Sequence, residues 1–144
     1  MMRFLLACLF LALAFVLQFW FASIGISINF IFTALIAFAF LFDFWDVLFF
    51  ILAAIFVVNW QPAMSWEMFI LAAIPFAAYL LHNYSTWEAW VANLACIVIG
   101  LLILYIAIAP RFFTANLGVF FVDLFGCLIF GSIVFGALNR REGR

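Results

Sequence analysis

The chain has 144 residues, of which 74% are hydrophobic and only 8% are charged. A soluble domain is roughly half apolar and about a quarter charged, so the natural solvent for this composition is lipid. Five arginines, no lysine, six acids and one histidine leave a net charge of −1, which offers neither a basic surface for nucleic acid nor a polybasic lipid patch.

A helix crosses the ~30 Å hydrocarbon core with about 20 residues. Apolar stretches between polar clusters predict six spans, at residues 4–21, 26–42, 47–58, 67–81, 87–109 and 112–138. The interruptions are SIGIS, DFWD, NWQPAMSW, HNYST and PR. The first stretch carries Arg3 and a LLAC segment that looks like a lipobox. Only seven residues precede Cys8, however, and the apolar run continues through Val16, so the segment reads as a retained span. The third and fourth spans are short enough to be buried or re-entrant, which leaves four full spans and one broken hairpin as the alternative count. No connection has room for a folded soluble domain. The expectation is an all-α, polytopic transmembrane bundle of six short-looped spans, a single integral membrane domain over residues 1–144.

An even number of spans puts both termini on one side. Arg3, Arg140, Arg141 and Arg144 then face Arg111 across the bilayer, which predicts a cell-membrane protein with both ends in the cytoplasm. Trp20, Trp45, Trp60, Trp66, Trp87 and Trp90 all fall at predicted span ends, where an indole buries its ring and keeps its N–H wet. Phenylalanine, with 23 copies, is expected to face lipid and to leave small residues for helix contacts.

Polar residues inside the spans are few. Asp123, in FFVDLFGCLIFG, is predicted near the middle of the last span, where a carboxylate costs roughly 2.5 to 3.5 kcal/mol on insertion scales and so must face the bundle. Asn116, Asp123 and Phe130 recur every seven residues, with Gly126 and Cys127 one turn beyond the acid, forming a small-and-polar stripe. On the preceding span Asn93, Cys96, Gly100 and Ala107 form a matching face. An antiparallel pairing through a tight turn at Pro110 and Arg111 sets Gly100 level with Asp123 and brings Tyr105 to Asn116 for a hydrogen bond. Asp123 is then an acid that fixes helix register by donating to a neighbour; a substrate or proton site and a partner contact are the two alternatives. Gln18 and Asn29 are read as lying near the outer edge and adding little.

Other candidates resolve to simpler roles. Asp43 and Asp46 flank a turn as solvated aspartates, or serve as a cytoplasmic docking point. An intramembrane dyad of Asp43 and Asp123 would need the edge and the centre of the membrane to meet. His82 is a lone histidine in a short loop without a catalytic partner. Glu67 and Glu88 open spans, where negative charge suits a helix N-terminus, and Pro75 would kink the fourth span. Cys8, Cys96 and Cys127 lack metal or disulfide spacing and read as packing residues. No phosphate loop, HExxH pattern or nucleophile elbow is present, so neither a catalytic residue, a metal nor a cofactor is expected.

The stretch VLQFWFASIGISINF, with Gln18 ending the first span, a short polar connection and Asn29 opening the next, resembles the rod shape-determining protein MreD family. Six short-looped spans and the basic NRREGR tail agree with it in layout; the third span departs from it, carrying alanines and an asparagine in place of glycines and an aspartate. The resemblance implies a non-enzymatic scaffold subunit that contacts membrane lipid and the other membrane proteins of a cell-elongation complex. That family is in turn similar in layout to the substrate-binding S components of energy-coupling-factor vitamin transporters, and the rival implication is a vitamin-binding transporter subunit that takes a small-molecule ligand.

Overall fold

The computed structural model describes residues 1–26, 28–58, 66–84 and 86–140, without the side chains of 58 and 66–68. Among these residues every regular element is a helix: α1 Met2–Ser23, α2 Phe30–Leu41, α3 Phe44–Val58, α4 Trp66–Tyr84, α5 Ala89–Ile108, α6 Pro110–Ala115 and α7 Leu117–Asn139. Helices α1, α5 and α7 are long and apolar enough to cross a membrane, whereas α2, α3 and the described apolar part of α4 are shorter. The molecule is a helical membrane protein.

The bundle is organised around α2. Every residue from Phe30 to Phe40 is buried, and the helix packs against α7, α4, α1, α3 and α5. Its sequence, FIFTALIAFAFL, is apolar on all sides, as suits a helix surrounded by others. With 12 residues, α2 is about 18 Å long, well short of the hydrocarbon core. The third and fourth spans are short, as expected, but the second is shorter still. The second is the most enclosed, because its start is displaced inward from residue 26 to Phe30.

Gly25 causes that displacement. The N–H of Ile26 bonds to the carbonyl of Phe21 and that of Gly25 to Ala22, closing α1 in a Schellman motif. Gly25 sits at φ +83°, the left-handed conformation this cap requires and glycine adopts freely. The chain turns back into the bundle, and Ile28 is buried before α2 begins.

Three further glycines set helix spacing. A Cβ on Gly131 would lie 2.5 Å from Ile97 Cδ1 and 2.8 Å from Thr33 Cγ2, so α7 meets both α5 and α2 there. A Cβ on Gly100 would lie 2.8 Å from Ile74 Cγ2 and 3.0 Å from Phe32 Cζ, and one on Gly126 2.8 Å from Ile28 Cδ1. Close approach at small residues is what association in lipid requires. Phenylalanine is less partitioned toward lipid than expected: Phe32, Phe38 and Phe50 are fully buried, and Phe38 and Phe50 pack with ring centroids 4.8 Å apart. Of the tryptophans, Trp20, Trp45, Trp87 and Trp90 are exposed near helix ends as expected; Trp60 and the side chain of Trp66 lie outside the described residues.

The last predicted span is divided. The segment after α5 forms the six-residue α6, with Pro110 in its first turn, and Asn116 separates it from α7. The connection is thus a short helix where a tight turn was expected. Asp123 lies six residues into α7, about 9 Å along its axis, away from the middle of the helix.

Candidate functional site

Asp123 is fully buried and accepts four hydrogen bonds. The backbone N–H of Asn29 reaches Oδ1 at 2.8 Å, and Asn29 Nδ2 reaches Oδ2 at 2.6 Å. The Tyr105 hydroxyl donates to Oδ2 at 2.6 Å, and Cys127 Sγ lies 3.2 Å from Oδ1. Two lone-pair positions on each oxygen match four donors. The sequence reading, in which the acid donates to a neighbour, is corrected to an acid that accepts from three directions.

The geometry follows from the buried start of α2. The first N–H groups of a helix have no partner within it, and here α2 is buried from Phe30 onward. Asn29 is the N-cap residue but makes no side-chain cap bond. Asp123, brought from α7, fixes Asn29 by its backbone and side chain together, while Gln18 Oε1 on α1 accepts the N–H of Ile31 at 3.2 Å. Asn29's carbonyl accepts Thr33's backbone N–H at 3.2 Å and hydroxyl at 3.0 Å, with Cys127 Sγ at 3.6 Å. Four elements, α1, α2, α5 and α7, meet in this cluster.

Aromatic rings cover it. Phe120 meets the Tyr105 ring edge-on at 5.2 Å, and Phe113 of α6 packs on Phe120 at 5.0 Å. On the other side Phe30 and Phe130 are 5.1 Å apart.

The structure thus brings together Asp123, Tyr105 and Cys127 and sets Gly126 against Ile28 beside them. Tyr105 does not bond to Asn116, whose amide donates to Phe112's carbonyl at 3.5 Å in an exposed position. The inserted α6 shifts the hairpin register, and Tyr105 meets Asp123 instead; in the same register Ile97 meets Gly131 deeper in the bundle. Gly100 faces α4 and α2 rather than lying level with the acid, and Ala107 is exposed. Gln18 and Asn29 were underestimated by position alone. Their signal was available in the polar pair flanking a glycine turn, where the chain must re-enter apolar surroundings.

Asn93 is fully buried on α5, and neither polar atom of its side chain has a hydrogen-bond partner among the described residues. Such an amide costs about 1–3 kcal/mol. Asp43 and Asp46 flank the start of α3, with Asp46 in its first turn, where negative charge is favoured. Asp43 lines a cavity of about 340 Å³ together with Arg3, Tyr79, His82, Asn83 and Asn139. His82 is corrected from a loop residue to the last turn of α4, half-buried with its ring 5.2 Å from Phe40. Arg3 and Asn139 both face this cavity, so the start of α1 and the end of α7 lie together. Asp123 and Asn139 are separated by 16 residues of α7, about 24 Å along the axis, which keeps the two aspartates at different levels. Glu88 caps α5 by position without a side-chain cap bond, and the side chain of Glu67 is outside the described residues. No group of three or more metal-ligating side chains occurs among the described residues.

Comparison with family models, curated proteins and solved structures returned no match to this chain. The reading of its function therefore rests on the site itself.

Proposed function

We propose that this protein is a six-span scaffold subunit of the cell membrane, similar to the MreD family, that supports cell-wall elongation complexes through intramembrane helix contacts. Both termini face the cytoplasm in this reading, and its partners are lipid and other membrane proteins of the complex. The observation that carries it is the closure of the Asp123 cluster. The acid has its four acceptor positions filled by Asn29, Tyr105 and Cys127, so the buried carboxyl group holds the bundle together instead of facing a ligand. Gln18 and Asn29, the residues that carry the resemblance, both act at the start of α2. A rigid core of this kind leaves the apolar outer faces of α1, α5 and α7 for neighbouring spans; Leu9, Phe19, Ile99, Ile103, Phe125 and Ile129 are exposed there.

Crosslinking of the tagged protein in its native membrane, followed by mass spectrometry, tests this reading. Recovery of a single-span coiled-coil protein or of cell-wall synthesis enzymes is expected. Recovery of a paired ATPase with a second membrane subunit would replace the scaffold with a transporter subunit.

A further inference from the structure

Two adjoining spaces at the terminus end of the bundle share Phe40 and differ in chemistry. The cavity of about 340 Å³ is lined by Arg3, Asp43, Tyr79, His82, Asn83 and Asn139, drawn from α1, α4, the end of α7 and the turn before α3. Aromatic contacts position its two basic side chains: the Arg3 guanidinium lies 5.1 Å from the Phe42 ring centre, and the His82 ring meets Phe40 edge-on. Beside it, a groove of about 300 Å³ is bounded by Leu81 and Trp87 and floored by Ala92, Ala95, Cys96 and Ile99 of α5. Those four recur at helical spacing along one face, so the groove runs up α5 into the apolar part of the bundle.

A polar chamber at a bundle end that opens beside an apolar channel matches an amphiphile with a charged head and a hydrocarbon chain. The charges define the head more closely. Arg3 and His82 suit a phosphate, and Asp43 on the same wall suits an ammonium group.

We propose that this pair of spaces is a binding site for one amine-bearing phospholipid, its phosphate held by Arg3 and His82, its ammonium by Asp43 and one acyl chain in the α4–α5 groove. This goes beyond the scaffold reading and stands whether or not that reading holds.

Native mass spectrometry of the purified protein tests it, with phosphatidylethanolamine, phosphatidylglycerol and phosphatidylcholine added in turn. One phosphatidylethanolamine should be retained, with about tenfold preference over phosphatidylglycerol, the ratio expected for one charge-assisted contact. Asp43→Asn should remove that preference while phosphatidylglycerol binding stays. Ala95→Leu, which fills the groove, should weaken retention of every lipid. Water-soluble phosphoethanolamine should compete poorly, because it lacks the chain. Equal retention of all three lipids, no retained lipid, an unchanged preference in Asp43→Asn or full competition by phosphoethanolamine would each overturn the proposal. Thermal unfolding of each variant without added lipid separates lost binding from lost folding: a variant that unfolds early is replaced by Asp43→Ser or Ala95→Val, read in the same way.

Discussion

The two ends of this bundle use similar side chains to opposite ends. Near the start of α7, an aspartate, an asparagine, a tyrosine and a cysteine bond to one another until the acid has no acceptor position left, and aromatic rings cover them. Near its other end, an aspartate, two asparagines, a tyrosine, a histidine and an arginine line an open space. The difference originates in the backbone. At the Asp123 end, the short helix α2 begins inside the bundle and presents N–H groups that must be answered by side chains. At the terminus end, α1 begins, α4 and α7 finish, and polar side chains from each line an open space.

Removing the acid should have the largest effect. Asp123→Leu leaves the backbone and amide donors of Asn29 and the Tyr105 hydroxyl without their acceptor, a loss of about 3–5 kcal/mol. A large drop in thermal stability in detergent is expected, and an unchanged melting temperature would show that α2 is held without this cluster. Asp123→Asn is not benign either. Its amide must present N–H groups where donors already point, and a loss of about 1–3 kcal/mol is expected. Gly131→Ala comes next, because the added Cβ would press on Ile97 and Thr33; overpacking of this kind costs about 1–3 kcal/mol. Gly118→Ala is its control. Nothing lies within 4 Å of a Cβ there, and a melting temperature equal to or slightly above the parent's is expected. Tyr105→Phe removes one hydrogen bond and keeps the ring against Phe120, for a loss of about 1 kcal/mol in the same measurement.

The class of fold was legible because hydropathy and tryptophan placement depend on the solvent around each segment, and that solvent is written into composition. Asp123 was legible for the same reason, since a carboxylate in an apolar run must be answered by something. Its partners were harder to read. Tyr105 was matched to Asn116 on the assumption of a tight turn, and the six residues of α6 shift that register. Asn29 was judged by its distance from a predicted span boundary, while its role depends on Gly25, whose left-handed turn carries the chain inward before α2 starts. The second span was drawn from residue 26 because Ile26 and Ile28 are apolar; hydropathy does not distinguish an apolar residue in a helix from one in a buried connection. Which residues face the cavity at the other end depends on how five helices terminate together, and no local pattern encodes that.

The smallest effect is expected at Asn93, and it sharpens the contrast most. Both Asn93 and Asp123 are fully buried polar residues, on α5 and α7, and a count of buried polar groups would treat them alike. Asp123 satisfies three neighbours, whereas Asn93 has no hydrogen-bond partner among the described residues. Replacing a satisfied buried group leaves its partners stranded; replacing an unsatisfied one by an apolar side chain of similar size strands nothing. In lipid-stripped detergent, Asn93→Leu should therefore change stability by no more than about 0.5 kcal/mol, or raise it. With phosphatidylethanolamine added, parent and variant should gain melting temperature alike through binding to the folded state, because Asn93 lines neither space. A loss in Asn93→Leu as large as that in Asp123→Leu, measured without lipid, would mean that Asn93 holds the fold as Asp123 does, and that the two ends of the bundle are built alike.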